Sequence, residues 1–262
     1  AKENGDDSVQ IFLAKYLNVE IGLNKRSDRW AGADFWMLSA YKDKLFIESI
    51  LDLSEICTIG FDGGGLDDLF GMAVVGRDKN DRSIWYCWNR AWAHPIALER
   101  RQEIAPALKD FEQDGDLVIV KNIGEDVTQA AQLCKRIYDA GKLPEKAAIG
   151  LDKLGMPSLQ DGLLEQIPFE LLIGVPQGYQ LSSYVQTTER KVAEGKFLHA
   201  GQRMMNWCVG NAKGVYQGNA MTIRKQESGK AKIDPLIATF NAVALMSQNP
   251  EVAAQSYGVY FV

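Results

Sequence analysis

Three aspartates at the ends of separate predicted elements are the residues best placed to do chemistry. Asp62 and Asp152 each follow a short apolar run typical of a buried strand, and Asp234 precedes Pro235 at the start of an apolar helical pattern. Sites in open α/β sheets lie at the carboxyl ends of strands, so we expect these side chains to converge. Converging carboxylates repel one another unless cations neutralise them. Hard divalent cations prefer oxygen ligands, so the pattern favours binding of Mg²⁺ or Mn²⁺. Two such ions, about 3.5–4 Å apart, can activate water for phosphodiester cleavage.

Each aspartate also has a purely structural interpretation. Asp62 before three glycines can initiate a turn, Asp152 can be a loop acid, and Asp234 before a proline is a good helix N-cap. Asp67 and Asp68 are further candidates, because a short loop after Asp62 can bring them back towards it. Caps and turns explain these two acids equally well.

The composition narrows the possible chemistry. Only two histidines occur, His94 and His199, which disfavours histidine-dependent nucleophilic catalysis and histidine-rich zinc sites. The four cysteines are widely spaced and form no Cys-x-x-Cys pair, so no zinc site or disulfide framework is indicated. The sequence has neither a P-loop nor a Gly-x-Ser-x-Gly motif. No apolar run approaches the roughly 20 residues that span a bilayer, and the N-terminus has no apolar signal region. The sequence therefore predicts a soluble, intracellular protein.

Basic residues are concentrated in one part of an acidic chain. The formal net charge is −5, yet residues 186–232 hold nine Lys or Arg against three Glu. Such a segment could bind nucleic-acid phosphates, and a solvated helix face followed by a loop is an equally weighted alternative. The candidates for backbone contacts are Arg190, Lys191, Lys196, Arg203, Lys213, Arg224, Lys225, Lys230 and Lys232.

The apolar patterns predict an α/β domain with a mixed sheet, antiparallel at its start and followed by βαβ crossovers. Strands are predicted at 56–61, 71–76, 83–88, 117–120, 147–151 and 169–175, and a small hairpin at 216–224. Helices are predicted from Pro95 through Leu108, at 126–140, at 158–166, from a Ser183 cap to Gly195, and at 234–246. Residues 1–50 lack a sustained period and are interpreted as an arm or linker packed on the body.

Several short motifs occur in a specific order. They are Gly60-Phe61-Asp62-Gly63-Gly64-Gly65-Leu66-Asp67-Asp68-Leu69, Gly150-Leu151-Asp152, and Lys232-Ile233-Asp234-Pro235-Leu236-Ile237-Ala238. Between the last two lie Pro176-Gln177-Gly178 with Leu181-Ser182, Asn206-Trp207 with Asn211, and Gly218-Asn219. In order and spacing, over roughly residues 50–248, these motifs resemble the nuclease half of the large terminase subunits of tailed phages.

The resemblance implies a fold, a reaction and a set of site residues. The implied fold is an RNase H-like mixed sheet flanked by helices, with residues 51–262 as the nuclease domain and residues 1–50 from the ATPase–nuclease junction. Asp62, Asp152 and Asp234 would be catalytic and bind two Mg²⁺ or Mn²⁺ ions. Asp68 matches a further acid of the family, with Asp67 as the alternative, and the triple glycine after Asp62 departs from the family's commoner polar residues.

The resemblance also implies a setting. The substrate would be concatemeric double-stranded viral DNA in the host cytoplasm, and the full-length partners would be the ATPase domain, the small terminase subunit and the portal. Lacking a P-loop, this chain should cut DNA without ATP. Two other functions are considered: an actin-like or sugar-kinase-like ATPase using the glycines after Asp62, which requires a second phosphate loop, and a non-catalytic DNA-packaging assembly module.

Overall fold

The computed structural model describes residues 28–152, 157–226 and 231–252. The strands in these ranges are β1 (Ser54–Gly63), β2 (Leu69–Asp78), β3 (Trp85–Ala93), β4 (Leu117–Ile119), β5 (Ile149–Asp152), β6 (Leu172–Val175), β7 (Phe197–His199), β8 (Ala212–Gln217) and β9 (Ala220–Lys225). The α-helices are α1 (Ala33–Trp36), α2 (Ile47–Leu53), α3 (Pro95–Arg100), α4 (Ala105–Gln113), α5 (Glu125–Asp139), α6 (Pro157–Leu164), α7 (Ser182–Ala193), α8 (Arg203–Gly210) and α9 (Asp234–Met246).

Seven strands form one mixed sheet in the order β4-β3-β2-β1-β5-β6, and β7 also pairs with β3. The first three strands are antiparallel neighbours, whereas β5 runs parallel to β1 and β6 runs parallel to β5. Strands β8 and β9 form a separate hairpin. The predicted antiparallel start, the later parallel crossovers and the hairpin are therefore confirmed.

Helices cover both faces of this sheet. Alternate side chains of a strand point to opposite faces, and on β1 Ile56 belongs to one apolar cluster whereas Cys57 and Ile59 belong to the other. The first cluster includes Phe240 of α9, and the second includes Cys134 of α5. The fold is thus a three-layer α/β/α arrangement, as an RNase H-like sheet flanked by helices requires.

Helix α9 is held against the sheet by close backbone contact and buried polar bonds. A Cβ on Gly60 would lie 2.1 Å from the carbonyl oxygen of Ala238, so glycine is required there. The Nδ2 of buried Asn241 donates to the carbonyl oxygen of Phe61 at 2.8 Å, and its Oδ1 accepts from Gln177 at 3.0 Å. These contacts fix the position of α9 relative to β1.

Two local predictions are wrong for identifiable reasons. The helix predicted from Pro95 through Leu108 is two helices, because Pro106 has no N–H to continue the hydrogen-bonding ladder and its ring disfavours a preceding turn of helix. Ser183 does not cap α7, which begins at Ser182 directly after a 3-10 turn and has no side-chain cap.

The described part of the predicted N-terminal arm packs on the body. Trp30 and Trp36 are fully buried, and Trp36 stacks on His199 of β7 with ring centroids 4.1 Å apart. Residues 1–27 of the predicted arm lie outside the described residues. None of the helices in the described ranges has the length and apolar character needed to cross a bilayer.

Candidate metal centre

Asp62 and Asp152 lie on neighbouring parallel strands at the same edge of the sheet. Strands β1 and β5 pair Gly60 with Gly150, and the same register continued by two residues places Asp62 opposite Asp152. A Cβ on Gly60 or on Gly150 would meet the backbone of α9, at 2.1 Å and 3.4 Å. Because side chains alternate with a period of two, both aspartates share the face that α9 covers.

Asp234 begins α9 beside the end of β1. The N-cap is Ile233 and there is no side-chain cap bond, so the helix-cap interpretation of Asp234 is wrong. A Cβ on Gly63 would lie 3.2 Å from Asp234 Oδ1, which places this carboxylate against the residue after Asp62. Asp234 Oδ2 is buried and, within the described part of the chain, has no hydrogen-bond partner.

The carboxylates disfavour one another's ionisation. Burial raises the pKa of Asp62 well above its ordinary value, and the charges of Asp234, Asp152 and Asp68 raise it further. Burial, followed by the charge of Asp68, raises the pKa of Asp234 to about 7. Like charges that face one another in a partly buried position are typical of sites that bind a cation.

The loop after β1 separates the roles of Asp67 and Asp68. Asp68 accepts a bond from the N–H of Leu69 at 3.0 Å and contacts the amino group of Lys232. Asp67 pairs with Arg101 at 3.3 Å, and the sources of the raised pKa of Asp62 include Asp68. Asp68 is therefore better placed than Asp67 to belong to the acid cluster, which we define as Asp62, Asp68, Asp152 and Asp234.

The glycines after Asp62 shape the connection from β1 to β2. Gly63 and Gly64 have φ values of 85° and 110°, a region that side-chain-bearing residues avoid. The N–H of Gly64 donates to the carbonyl oxygen of Leu69 at 3.1 Å. This donor is used inside the hairpin turn, so the loop does not offer it to a phosphate, and the ATPase interpretation gains no support from it.

The acid cluster fits a hard divalent cation by its chemistry. It supplies carboxylate oxygens on rigid elements, and one of these oxygens is buried without a partner, which a bound cation would relieve. Within residues 28–152, 157–226 and 231–252, however, no three His, Cys, Asp or Glu side chains are gathered around one point as a complete ligand set.

Two cavities meet at Asp62. The larger, of about 460 Å³, is lined by Asp62 and Asp234 together with Gln177, Arg224 and Lys225. The smaller, of about 220 Å³, is lined by Asp62 and Asp152 with apolar neighbours that include Phe70 and Leu159. Asp62 thus lines both cavities, and two basic side chains of the β8–β9 hairpin border the larger one.

The nine basic residues predicted to contact DNA do not form one surface. Arg224 and Lys225 border the acid cluster, and Lys230 lies outside the described residues. Arg203 pairs with Asp114 and Lys213 pairs with Asp28, each at 2.8 Å. Lys232 is buried, with 2% of its side chain exposed, so its prediction as a DNA-backbone contact does not fit its position.

Three of the predicted basic residues lie at the opposite end of the sheet. The amino group of Lys191 donates to the carbonyl oxygen of Ser83 at 2.6 Å and lies over the ring of Trp85. Trp85 pairs with Arg77, whereas Asp62 pairs with Gly71 near the other end of β2. Arg190 and Lys196 are close to Lys191 in the chain, so this group does not border the acid cluster.

Sequence reasoning missed two arginines that lie close to the acid cluster. Arg100 and Arg101 lie at the end of α3, 3.9 Å and 3.3 Å from Asp67 Oδ2. In the sequence they belong to an ordinary charged helix end, and only the fold brings them to the loop after β1. In the sequence Lys232 is one basic residue among nine, and its charge alone gives no sign of its burial.

Comparisons with known proteins agree with this architecture. No sequence-family model matches the chain. "Protein YmfN" of Escherichia coli (strain K12) is 22% identical over 279 residues, which cover 98% of this chain and 57% of that protein. The large terminase of bacteriophage HK97 superposes with a TM-score of 0.64 and 16% identity, over 91% of this chain and 48% of that one.

A nuclease solved alone is also similar. The large terminase nuclease from thermophilic phage G20c with bound magnesium superposes with a TM-score of 0.50 and 12% identity, over 84% of this chain and 98% of that one. This chain therefore spans about half the length of the HK97 terminase and of YmfN, and nearly all of the isolated nuclease. It has the RNase H-like fold of terminase nuclease domains, so the resemblance indicated by its motifs is confirmed in its fold.

Proposed function

We propose that this chain is the endonuclease domain of a phage DNA-packaging terminase, which hydrolyses phosphodiester bonds of concatemeric double-stranded viral DNA. The observation that carries the proposal is the convergence of Asp62 and Asp234, with Asp152 and Asp68, at one edge of a sheet with the terminase nuclease fold. Asp62, Asp152 and Asp234 lie more than 80 residues apart in the sequence, and their proximity in the fold supports the proposed site.

Asp62, Asp152 and Asp234 are proposed to hold two Mg²⁺ or Mn²⁺ ions, with Asp68 as a further ligand. The nuclease from phage G20c has been solved with bound magnesium and with bound cobalt, which supports use of a divalent metal here. When bound, such ions supply Lewis acidity at the phosphate and neutralise the repulsion within the acid cluster.

The chain's own residues are proposed to hold the acid cluster in place and to bind the negatively charged substrate. Asp62 and Asp234 stay in place because β1 and α9 are locked together by Asn241, whose amide bonds to Phe61. Arg224 and Lys225 border the same cavity and are proposed to bind phosphates next to the scissile bond. His199 is not available as a base, because it is buried and its Nε2 is hydrogen-bonded to the carbonyl oxygen of Trp36. Burial also lowers its pKa to about 4.

The setting of the whole protein is also proposed. Because this chain spans 48% of the HK97 terminase, the remainder of a comparable full-length protein has room for an ATPase domain. That domain, the small terminase subunit and the portal are the proposed partners in the host cytoplasm. Cleavage by this chain itself is expected to need no ATP.

The proposal is tested by plasmid nicking with Mn²⁺ in the absence of ATP. Asp62→Asn, Asp152→Asn and Asp234→Asn should each lower the rate by at least about 100-fold, because each replaces a charged carboxylate ligand of the proposed metal ions by a neutral amide. Asp139→Asn is the matched control, since Asp139 is an exposed acid on α5 paired with Lys135. Near-normal nicking by all three site variants would reject the proposal, provided that their thermal unfolding shows them folded.

A further inference from the structure

Lys232 is a buried cation in contact with the acid cluster. Only 2% of its side chain is exposed, and its amino group contacts the carboxylate of Asp68. The same amino group donates to the carbonyl oxygen of Asp67 at 3.2 Å. A lysine is almost never fully buried without a partner, because removing an ammonium from water is costly. The position therefore requires the negative charge that Asp68 provides.

The charge of Lys232 reaches beyond Asp68. Besides the contact with Asp68, the ammonium acts on Asp234, where it favours the ionised carboxylate. Asp234 in turn is one of the charges that oppose ionisation of Asp62. Lys232 thus offsets part of the repulsion within the acid cluster, and it does so with a charge of the same sign as a bound metal ion.

We infer that Lys232 is the resident counter-cation of the acid cluster: it stabilises the metal-free protein and, by its positive charge, weakens the binding of divalent ions. The inference rests on the proposed metal site. Two cations that neutralise the same carboxylates repel each other, so the presence of one reduces the binding free energy of the other. Lys232 acts through Asp68 and Asp234 and does not touch the reacting phosphate, so it is a positioning residue.

A second buried cation provides a comparison within the same molecule. Arg77 also has 2% of its side chain exposed and pairs with a carboxylate, that of Glu55 at 2.5 Å. It further donates to Asn249 and to the carbonyl oxygen of Pro250. Arg77 pairs with Ile56 near the start of β1, whereas Asp62 lies near its end. Its loss should weaken the fold without involving the acid cluster.

The test compares Lys232→Met with Arg77→Met by thermal unfolding in EDTA and in saturating Mn²⁺, together with a direct Mn²⁺ titration by electron paramagnetic resonance. Both variants should unfold at lower temperature in EDTA. Mn²⁺ should restore a larger part of the lost unfolding temperature in Lys232→Met than in Arg77→Met. The Kd of Lys232→Met for Mn²⁺ should be about tenfold lower than that of the unchanged protein. Arg77→Met should lose the same stability with and without Mn²⁺, at unchanged Kd.

Two further variants keep the test decisive. Lys232→Arg retains the charge and should keep the original Kd for Mn²⁺, even if it unfolds at a lower temperature. Lys232→Gln, which retains a donor for the Asp67 carbonyl, replaces Lys232→Met if the latter does not fold, with the same expectation for Mn²⁺.

Three outcomes would overturn the inference. An equal stability loss with and without Mn²⁺, at unchanged Kd, would make Lys232 a structural lock only. Weaker Mn²⁺ binding by Lys232→Met would mean that Lys232 serves chiefly to hold Asp68 as a ligand. Absence of Mn²⁺ binding by the unchanged protein would overturn the proposed metal site as well, which separates the two failures.

Discussion

Gly71 lies directly against the first turn of α9, so that a Cβ on Gly71 would come within 2.7 Å of the backbone nitrogen of Pro235. Gly71 is also the residue of β2 that pairs with Asp62. The missing side chain therefore allows the helix that begins with Asp234 to approach the strand that carries Asp62. The distance between these two carboxylates depends on a glycine that belongs to neither element.

We expect Gly71→Ala to displace the start of α9. The added methyl group meets backbone atoms that cannot rotate away, so the free energy of unfolding should fall by about 1–3 kcal/mol. Nicking with Mn²⁺ should fall by at least about tenfold in protein that remains folded, because small displacements at a reacting centre are costly. Urea unfolding and plasmid nicking measure the two effects.

Gly210→Ala is the matched control for this change. Gly210 ends α8, and a Cβ there would meet nothing within 4 Å. Its unfolding free energy and nicking rate should stay close to those of the unchanged protein. Equal effects of the two substitutions would mean that contact with Pro235 does not position Asp234.

Arg100 and Arg101 are expected to bind DNA, whereas Arg190 is not. The two arginines lie beside the loop that carries Asp67 and Asp68, and 69% of the Arg100 side chain is exposed. Arg190 is more exposed, at 82%, but belongs to the group at the opposite end of the sheet. Guanidinium groups near the proposed cleavage site can exchange a weak surface ion pair for a phosphate.

Fluorescence anisotropy with duplex DNA, in an Asp62→Asn background that prevents cleavage, measures this difference. Substituting Arg100 and Arg101 together by Ala should raise the Kd roughly tenfold and reduce the slope of log Kd against log salt by about 1–2. Arg190→Ala should change the Kd by less than about twofold. The reverse ranking of these variants would place the DNA on the far end of the sheet.

The metal-free protein should lose stability as the pH rises towards neutrality. Burial and the charge of Asp68 raise the pKa of Asp234 to about 7, above the ordinary range of an aspartate in the unfolded chain. Between these values the folded state binds more protons than the unfolded state, so the free energy of unfolding falls with rising pH, and the contribution of Asp234 levels off above about pH 8. Asp62 contributes in the same direction.

Thermal unfolding in EDTA from pH 5 to 8 measures this dependence, with Asp234→Asn as the reference. Burial lowers the pKa of His199, which makes the free energy of unfolding rise with pH below about pH 6.5. This opposite dependence is present in both proteins and cancels in their difference. The stability of the unchanged protein relative to Asp234→Asn should therefore fall as the pH rises through 7, and saturating Mn²⁺ should abolish the fall. A difference that is independent of pH in EDTA would contradict the proposed repulsion.

The sequence was sufficient to predict the strands that carry the acids and the order of the acids themselves. Asp62 and Asp152 follow apolar runs, which in an α/β sheet places both at the carboxyl edge, and the Asp-Pro pair marks the start of α9. The choice between Asp67 and Asp68 could be made only from the structure, because it depends on which of the two side chains in a short loop faces Lys232. Roles of the site residues remain predictions.

The basic residues show where sequence reasoning reached its limit. A run of positive charge gives no information on burial or on which end of a sheet a side chain reaches, so the sequence places Lys232 and Lys191 in one group with Arg224. The sequence does not single out Arg100 and Arg101, because their closeness to the loop after β1 arises only from the path of the chain after β3. Contacts between distant segments decide these positions, and periodicity does not encode them.

The proposed metal site is tested directly by a crystal structure of the protein soaked with Mn²⁺, with anomalous scattering used to locate the metal. We expect two anomalous peaks about 3.5–4 Å apart, bound by Asp62, Asp152 and Asp234. Peaks confined to other parts of the surface, or an acid cluster that stays metal-free at saturating Mn²⁺, would contradict the proposed metal site.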